Sequence, residues 1–249
     1  MIQSFSLKRI GHFIIRDITI LRASIVTSLS VAASILFIVF LFYQRGDLLL
    51  SPDRFASVFG KLYIILGILF TFKLLKEAQY QKTNHLYFAL PISSLERVIT
   101  IWFTASILYT IVFSIVSFII GQSAILTASM FSDADFHLLS ISDSYWNTVR
   151  FYFLIQPIFL YGALRFNKNR LGKTLLFILL LIFTLIIFNM MLYGMLNYGY
   201  DVFSGEELAS EAFYEAGEDF SGVGQWVFTG FFITLLLLAS YFRFIEKEV

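Results

Sequence analysis

The residues that could perform chemistry are few in this sequence, and they lie outside its long apolar segments. The chain has three histidines, His12, His85 and His137, and no cysteine. A serine protease or metalloprotease that works inside a membrane needs a histidine on a helix that crosses it. Because no histidine lies in an apolar segment, a membrane-embedded enzyme is disfavoured. The lack of cysteine removes disulfides, thiolate metal sites and cysteine nucleophiles.

Carboxylates are concentrated in polar segments. Glu206 and Glu207 could form a catalytic pair like that of membrane proteases that process prenylated proteins, but no arginine follows at the required spacing. We interpret them as part of a solvated acidic helix over about 205–216, which begins at the capping box formed by Ser204 and Glu207. No Asp or Glu lies inside an apolar segment, and ion-coupled transporters generally place one near the membrane midplane. Secondary transport therefore loses support.

The sequence also lacks the G-x-x-x-x-G-K-[ST] loop that binds nucleotide phosphates. We therefore expect that the chain is not an enzyme and binds no cofactor itself. If it moves a substrate uphill, another polypeptide must supply the energy.

Two charges, Lys61 and Arg150, interrupt apolar segments near the ends that we expect to face outward. An ionised side chain at that depth must be paired, solvated or extended towards the interface. These residues could line an internal path and attract an anionic head group or an acidic outer-loop residue. Simple snorkelling to the interface is the alternative, and we favour it.

The residues considered above lie within or between six apolar segments, which therefore determine where they are placed. At 58% hydrophobic residues and 14% charged residues, the chain is too apolar for an ordinary soluble domain. Most segments approach the roughly 20 residues that cross a hydrocarbon core. The fourth segment is the weakest, because its uncharged run between Arg150 and Arg165 is short. We predict an all-α membrane protein with six transmembrane helices, at about 24–43, 55–72, 98–120, 145–164, 174–196 and 226–245.

An amphipathic helix precedes the first span. From Leu7 to Leu21 the apolar residues recur at steps of three and four, while Lys8 and Arg16 fall on the other face. We predict an interfacial (elbow) helix over 5–22 rather than a helix packed on a soluble core. Most of the 18 Lys and Arg lie on the inner side if both termini are cytoplasmic, and the acidic segments then face out.

Residues 73–97 join the second and third spans through a polar, basic stretch with its own helical pattern. Pro91 must end any helix before it, because its ring removes a donor and disfavours the helical conformation of Leu90. Ser93 and Glu96 match the capping box that begins a helix. The segment is therefore predicted to form a helix, a break and a capped helix, and could present a rigid surface to a partner.

These features together resemble the ABC-2 type permease subunits of bacterial ABC transporters. They are the interfacial helix, six spans with both termini inside, a long basic first cytoplasmic loop, a short second one, and a large external loop with a helix. The most specific local match is LPISSLERVITIWF, residues 90–103, which is similar to the LP-x-S-x-x-E sequence at the start of the third span in many bacterial members. The resemblance covers essentially the whole chain.

The resemblance implies a permease subunit of an exporter in the bacterial inner membrane. In this family the first cytoplasmic loop holds a coupling helix that docks on a separate ATP-binding subunit, which binds ATP and Mg, while the elbow helix lies alongside. Two permease halves work together, as a homodimer or a heterodimer, within the lipid bilayer and without nucleic acid. The alternative is a non-transporting scaffold or accessory subunit that recruits a cytoplasmic partner through the same loop, 73–97. The residues expected at the ATPase interface are Tyr80, His85, Leu86, Tyr87, Phe88, Pro91, Ser93, Glu96 and Arg97.

Overall fold

The computed structural model describes residues 5–45, 50–79, 87–131, 136–166, 168–196 and 225–248, and this part of the chain is helical without strands. A π-helical segment, Thr104–Leu108, joins the helix that ends at Phe103 to the helix that begins at Tyr109. The predicted external helix over 205–216 lies outside the described residues. The helices are α1 (Leu7–Arg45), α2 (Pro52–Leu74), α3 (Lys76–Gln79), α4 (Ser94–Phe103), α5 (Tyr109–Phe131), α6 (Asp143–Arg165), α7 (Arg170–Leu196) and α8 (Gln225–Glu248).

Five helical stretches among the described residues are long and apolar enough to cross a membrane, so the chain is a multi-pass membrane protein. They are Leu7–Gln44, Pro52–Leu74, Ser94–Phe131, Arg170–Met195 and Thr229–Lys247. α6 is also 23 residues long but more polar, and it corresponds to the predicted fourth span. It packs against α2, α7 and α8, so its polar side chains can face protein rather than lipid.

The N-terminal segment differs from its prediction. An interfacial helix over 5–22 and a span over 24–43 were expected as separate elements, whereas α1 is one continuous helix of 39 residues. At 1.5 Å per residue it is about 58 Å long, nearly twice a hydrocarbon core of about 30 Å. No proline occurs in α1 and its single glycine is Gly11, so nothing in the backbone interrupts the helix near residue 23.

The third apolar segment also continues further than expected. Composition indicated a polar link from residue 121, but α5 extends to Phe131. Gly121, Ala124 and Ala128 are buried on this extension, and α5 packs along α1. Gly121 also lies close to Phe55 of α2 and to Leu139. This packing outweighs the polar composition of the segment.

Capping residues explain where two helices begin. Ser51 accepts a hydrogen bond from the amide of Arg54 at 3.3 Å, and Pro52 fills the first position of α2. A proline there has no intrahelical hydrogen bond to lose. Ser142 caps α6 in the same way, accepting from the amide of Tyr145 at 3.4 Å. Both caps lie at the same end of the molecule.

The π-helical segment is held by hydroxyl groups. The Tyr152 hydroxyl of α6 donates to the carbonyl of Ala105 at 2.7 Å, and the Thr110 hydroxyl donates to the carbonyl of Ser106 at 2.5 Å. A π turn displaces backbone hydrogen bonds, and such turns are frequent at functional sites. Here two carbonyls of the segment accept from side-chain hydroxyls, and the bond from Tyr152 fixes α6 to the middle of the 94–131 stretch.

Long-range contacts define two ends of the molecule. At one end, which we call the basic end, Arg9 of α1 pairs with Glu96 of α4, and Phe88 contacts Phe244 of α8. The start of α1, the end of α2, the start of α4 and the end of α8 therefore meet there. At the opposite end, the His137 ring lies 3.1 Å from the carbonyl of Leu50. The segments that are rich in Lys and Arg are thus gathered at one end.

Candidate partner-docking site at the basic end

The capping box at the start of α4 is confirmed. The Ser93 hydroxyl accepts from the Glu96 amide at 3.3 Å, and the Glu96 carboxylate accepts from the Ser93 amide at 3.0 Å. Pro91 is exposed in the bend just before the cap. The break at Pro91 and the capped helix after it are therefore as predicted, while the segment 80–86 before them lies outside the described residues.

Glu96 also binds the start of α1. Its carboxylate is fully buried and accepts two hydrogen bonds from the Arg9 guanidinium, at 2.7 and 3.2 Å, and one from the Ser6 amide at 2.6 Å. A buried carboxylate is costly unless its oxygens are paired and hydrogen-bonded in this way. The start of α1 and the head of α4 are therefore joined into one unit.

A second ionic contact joins α1 to the segment after α2. The Arg16 guanidinium binds the carboxylates of Asp17 at 2.8 Å and Glu77 at 2.5 Å. Glu77 lies on the short helix α3. Together with the Arg9 contact, this places the first turns of α1 against both sides of the connection between α2 and α4.

Arg97 is enclosed by aromatic rings. Its guanidinium carbon lies 5.2 Å from the centre of the Tyr87 ring, 5.1 Å from that of Phe88 and 5.9 Å from that of Phe244. The side chain is fully buried and also donates to the Ile92 carbonyl at 3.4 Å. A cation over the faces of several rings is stabilised by their quadrupoles. This cluster ties the end of α8 to the head of α4.

Most of the residues expected at the ATPase interface that the structure describes are buried or half-buried within the chain. Tyr87 is 2% exposed and packs edge-on against Phe13 at 5.8 Å, and Phe88 is half-buried. Both rings thus contact the chain itself. Glu96 and Arg97 are fully buried and Ser93 is half-buried. These residues help to hold α1, α4 and the end of α8 together, an arrangement that we call the framework. Among the expected interface residues that the structure describes, Pro91 is the exposed one. Tyr80, His85 and Leu86 lie outside the described residues.

The exposed face of this framework includes a residue that the sequence reasoning missed. Leu95 is 45% exposed at the second position of α4, and Pro91 and Ala89, a few residues earlier in the chain, are exposed too. The sequence contains a signal for this exposure. Ser94, Arg97 and Val98 share one helical face, so Leu95 lies away from that face. The same reasoning missed Arg9, Arg16 and Glu77, whose pairing depends on the fold.

Lys61 and Arg150 are both exposed, on α2 and α6 respectively. Neither points into the hydrophobic core of the described chain. Their assignment to a substrate path stays a prediction, since such a path could only form against another molecule. Snorkelling remains the simpler interpretation.

The described part of the chain contains no group of three His, Asp or Glu residues close enough to hold a metal ion. What the basic end offers instead is a surface that is held by ion pairs around the buried Glu96 carboxylate and that exposes Pro91 and Leu95.

Comparisons with known protein families, with curated proteins and with solved structures gave no match.

Proposed function

We propose that this chain is the permease half of an ABC-2 type exporter in a bacterial inner membrane. The observation that carries the proposal is the ionic framework at the basic end, in which Glu96 joins Arg9 of α1 to the capped head of α4. Coupling an external motor to helices that cross a membrane requires a rigid connection between its docking surface and those helices. The framework provides that connection for α1 and α4 together.

The mechanism follows from how α4 is held. A separate ATP-binding subunit docks on the surface that includes Pro91 and Leu95, together with the segment before Tyr87. When that subunit and its counterpart close around ATP and Mg, they push on the head of α4. The Arg9–Glu96 ion pair transmits the push to α1, and the Arg16–Glu77 pair ties α1 to the segment after α2. The helix α1 and the helical stretch 94–131 therefore tilt as one body and alter the path between two permease halves.

The second permease half can be another copy of this chain or a different permease. The basic end faces the cytoplasm in this proposal, because Lys and Arg are retained on that side. Both termini then lie inside, α6 is a sixth span, and the start of α1 continues the first span into the cytoplasm, where members of the family have a separate interfacial helix. The chain itself binds no nucleotide.

The alternative is a non-transporting scaffold that uses the same surface to recruit a different cytoplasmic partner. The rigidity of the framework suits either role. Substrate-stimulated ATP turnover by the reconstituted complex separates them, because a scaffold does not couple turnover to a transported molecule.

The test is affinity purification of the tagged chain in mild detergent, comparing wild type with Leu95→Asp. Leu95 is exposed, and an acidic residue in the first turn of a helix is favoured by the helix dipole, so the variant should fold. We expect a phosphate-loop ATPase with wild type, and at least about tenfold less of it with Leu95→Asp, as for the loss of an interface hot spot.

The matched control is Leu138→Asp, which puts the same charge on a leucine that is 77% exposed at the opposite end. This variant should retain the ATPase. Absence of any ATPase with wild type would contradict the transporter, and equal loss in both variants would show that the effect is not local to the basic end.

A further inference from the structure

An apolar groove runs along the outside of the helices near the basic end. It has a volume of about 450 Å³ and lies between α1, α2, the π-helical segment and the start of α5. Its walls are mostly aliphatic and aromatic, with Ile25, Leu66 and Val112 among them. A volume of this size is within the range of pockets that bury small ligands.

The length of the groove fits one lipid chain. On α1 it extends from Ile18 to Leu29, which is about 16 Å at 1.5 Å per residue. This is about half of the roughly 30 Å of a hydrocarbon core, the depth that one leaflet fills. An extended acyl chain that enters from the leaflet at the basic end would therefore reach the far end of the groove.

At Lys73 the lining of the groove changes from apolar to charged residues. This residue also lines a second cavity of about 370 Å³, whose other walls include Asp17, Lys76 and Glu77. The apolar groove and the charged cavity thus meet at Lys73. A ligand that fills both must be amphiphilic.

The charges at this junction favour an anion. Arg16 is bound to the carboxylates of both Asp17 and Glu77. Lys73 and Lys76 are exposed and make no ion pair with the residues that the structure describes. One arginine against two carboxylates leaves one negative charge. The two lysines therefore bring the junction to a net charge of +1 and supply the positive charge that an anion can reach.

A buried hydroxyl provides a second polar contact. Thr104, in the π-helical segment, lines the groove and is 1% exposed. Its hydroxyl oxygen has no hydrogen-bond partner in the described part of the chain. A buried hydroxyl without a partner costs free energy, and the ester carbonyl of a lipid would accept its proton.

We propose that this groove binds one phospholipid of net negative charge. One of its two acyl chains lies between α1, α2 and α5, its ester region meets Thr104, and its phosphate meets Lys73 and Lys76. This site does not depend on the proposed transport function, because none of these residues belongs to the docking surface around Leu95. The bound lipid fills a gap between three helices.

The test titrates the purified full-length chain with phosphatidylglycerol, and separately with phosphatidylcholine of the same acyl chains, and counts bound lipid by native mass spectrometry. We expect one phosphatidylglycerol per chain, bound about tenfold more weakly by Lys73→Gln, because a charge-assisted contact is lost. Lys8→Gln is the control, since it removes another exposed lysine from the basic end that lines neither cavity, and it should bind normally.

The acyl-chain part has its own pair of variants. Val112→Trp fills the groove and should abolish binding, whereas Ile115→Trp places the same ring on an exposed position of α5 outside the groove and should leave it intact. Equal binding of phosphatidylcholine, or no effect of Lys73→Gln, would overturn the anionic head group.

A second copy of the chain could cover the groove instead. Because the chain has no cysteine, Val112→Cys introduces a single thiol. Crosslinking between two such chains with a short bifunctional maleimide would show that a helix of another copy lies there, and would overturn the lipid site.

Discussion

At the scale of single residues, Glu96 makes two sets of contacts, and only one of them could be predicted from its neighbours in the sequence. It completes the capping box with Ser93, and it also binds Arg9 and the Ser6 amide, which are 87 and 90 residues away. The capping role is local, so the spacing of Ser93 and Glu96 was enough to predict it. The pairing with Arg9 depends on the fold, and no local pattern relates the two residues.

Removal of the Glu96 charge should therefore weaken the joint between α1 and α4. In Glu96→Gln the amide can still cap Ser93, but Arg9 loses its ionic partner. We expect a loss of about 1–3 kcal/mol in the free energy of unfolding, seen as a lower thermal midpoint in detergent. Lys8→Met is the control, because Lys8 is an exposed neighbour without an ion pair in the described structure, and its midpoint should not move.

A double-mutant cycle with Arg9→Met isolates the pair itself. If the two side chains stabilise the fold through each other, the effects of the single variants will not add. Additive effects would contradict the ionic joint and leave only the cap.

The aromatic residues before Pro91 show the limit of reasoning from residue type. Tyr87 and Phe88 were expected to project into a partner, because aromatic anchors are common at interfaces. In the structure, both rings lie against Arg97. The sequence could not separate these two uses of an aromatic ring, since a buried arginine that needs a cage is visible only once the helices are packed.

At the scale of elements, the close approach of α2 and α6 depends on glycine. A methyl group added at Gly67 would lie 2.5 Å from the ring and hydroxyl of Tyr152, and one at Gly60 would lie 2.9 Å from Thr148. Tyr152 is fully buried and is held by its hydrogen bond to the Ala105 carbonyl. The ring therefore cannot move aside without loss of that bond.

Gly67→Ala should consequently destabilise the protein despite the better helix propensity of alanine. Overpacking of a buried site costs about 1–3 kcal/mol, so we expect a lower thermal midpoint in detergent. Gly230→Ala is the matched control on α8, where a methyl group meets nothing within 4 Å, and it should be neutral or slightly stabilising. A neutral Gly67→Ala would mean that α2 and α6 lie further apart than described.

The bounds of several helices were predictable, since they follow from local composition. The predicted fourth span over 145–164 coincides with α6, Asp143–Arg165, within two residues. The two failures, the continuous α1 and the extended α5, have different physical causes. The helix α5 persists where the polar composition suggested an end because it packs along α1. The helix α1 continues past residue 23 because no proline or glycine interrupts its backbone there. The sequence alone does not show which other helix a given helix will pack against.

At the scale of the whole molecule, the distribution of charge predicts how the chain lies in the membrane. Helices that are far apart in sequence bring Lys8, Arg16, Lys73 and Lys76 to the basic end, as the contacts of Arg9 and Arg16 show. Lys and Arg near the ends of spans are retained in the cytoplasm. We therefore expect the basic end to be cytoplasmic and the end that contains Leu138 to be external.

Single cysteines test this orientation directly, because the chain has none of its own. Leu95→Cys lies at the basic end and Leu138→Cys at the opposite end, and both positions are exposed. A maleimide that cannot cross membranes, added to intact spheroplasts, should label Leu138→Cys only, whereas both variants should react once the membrane is opened. The unsubstituted chain is the control and should not react. Labelling of Leu95→Cys in intact cells would place the docking surface outside, where no ATP-binding subunit can reach it. The exporter proposal would then fail, while the lipid groove, which needs only a leaflet at its lysine end, would still be open to its own test.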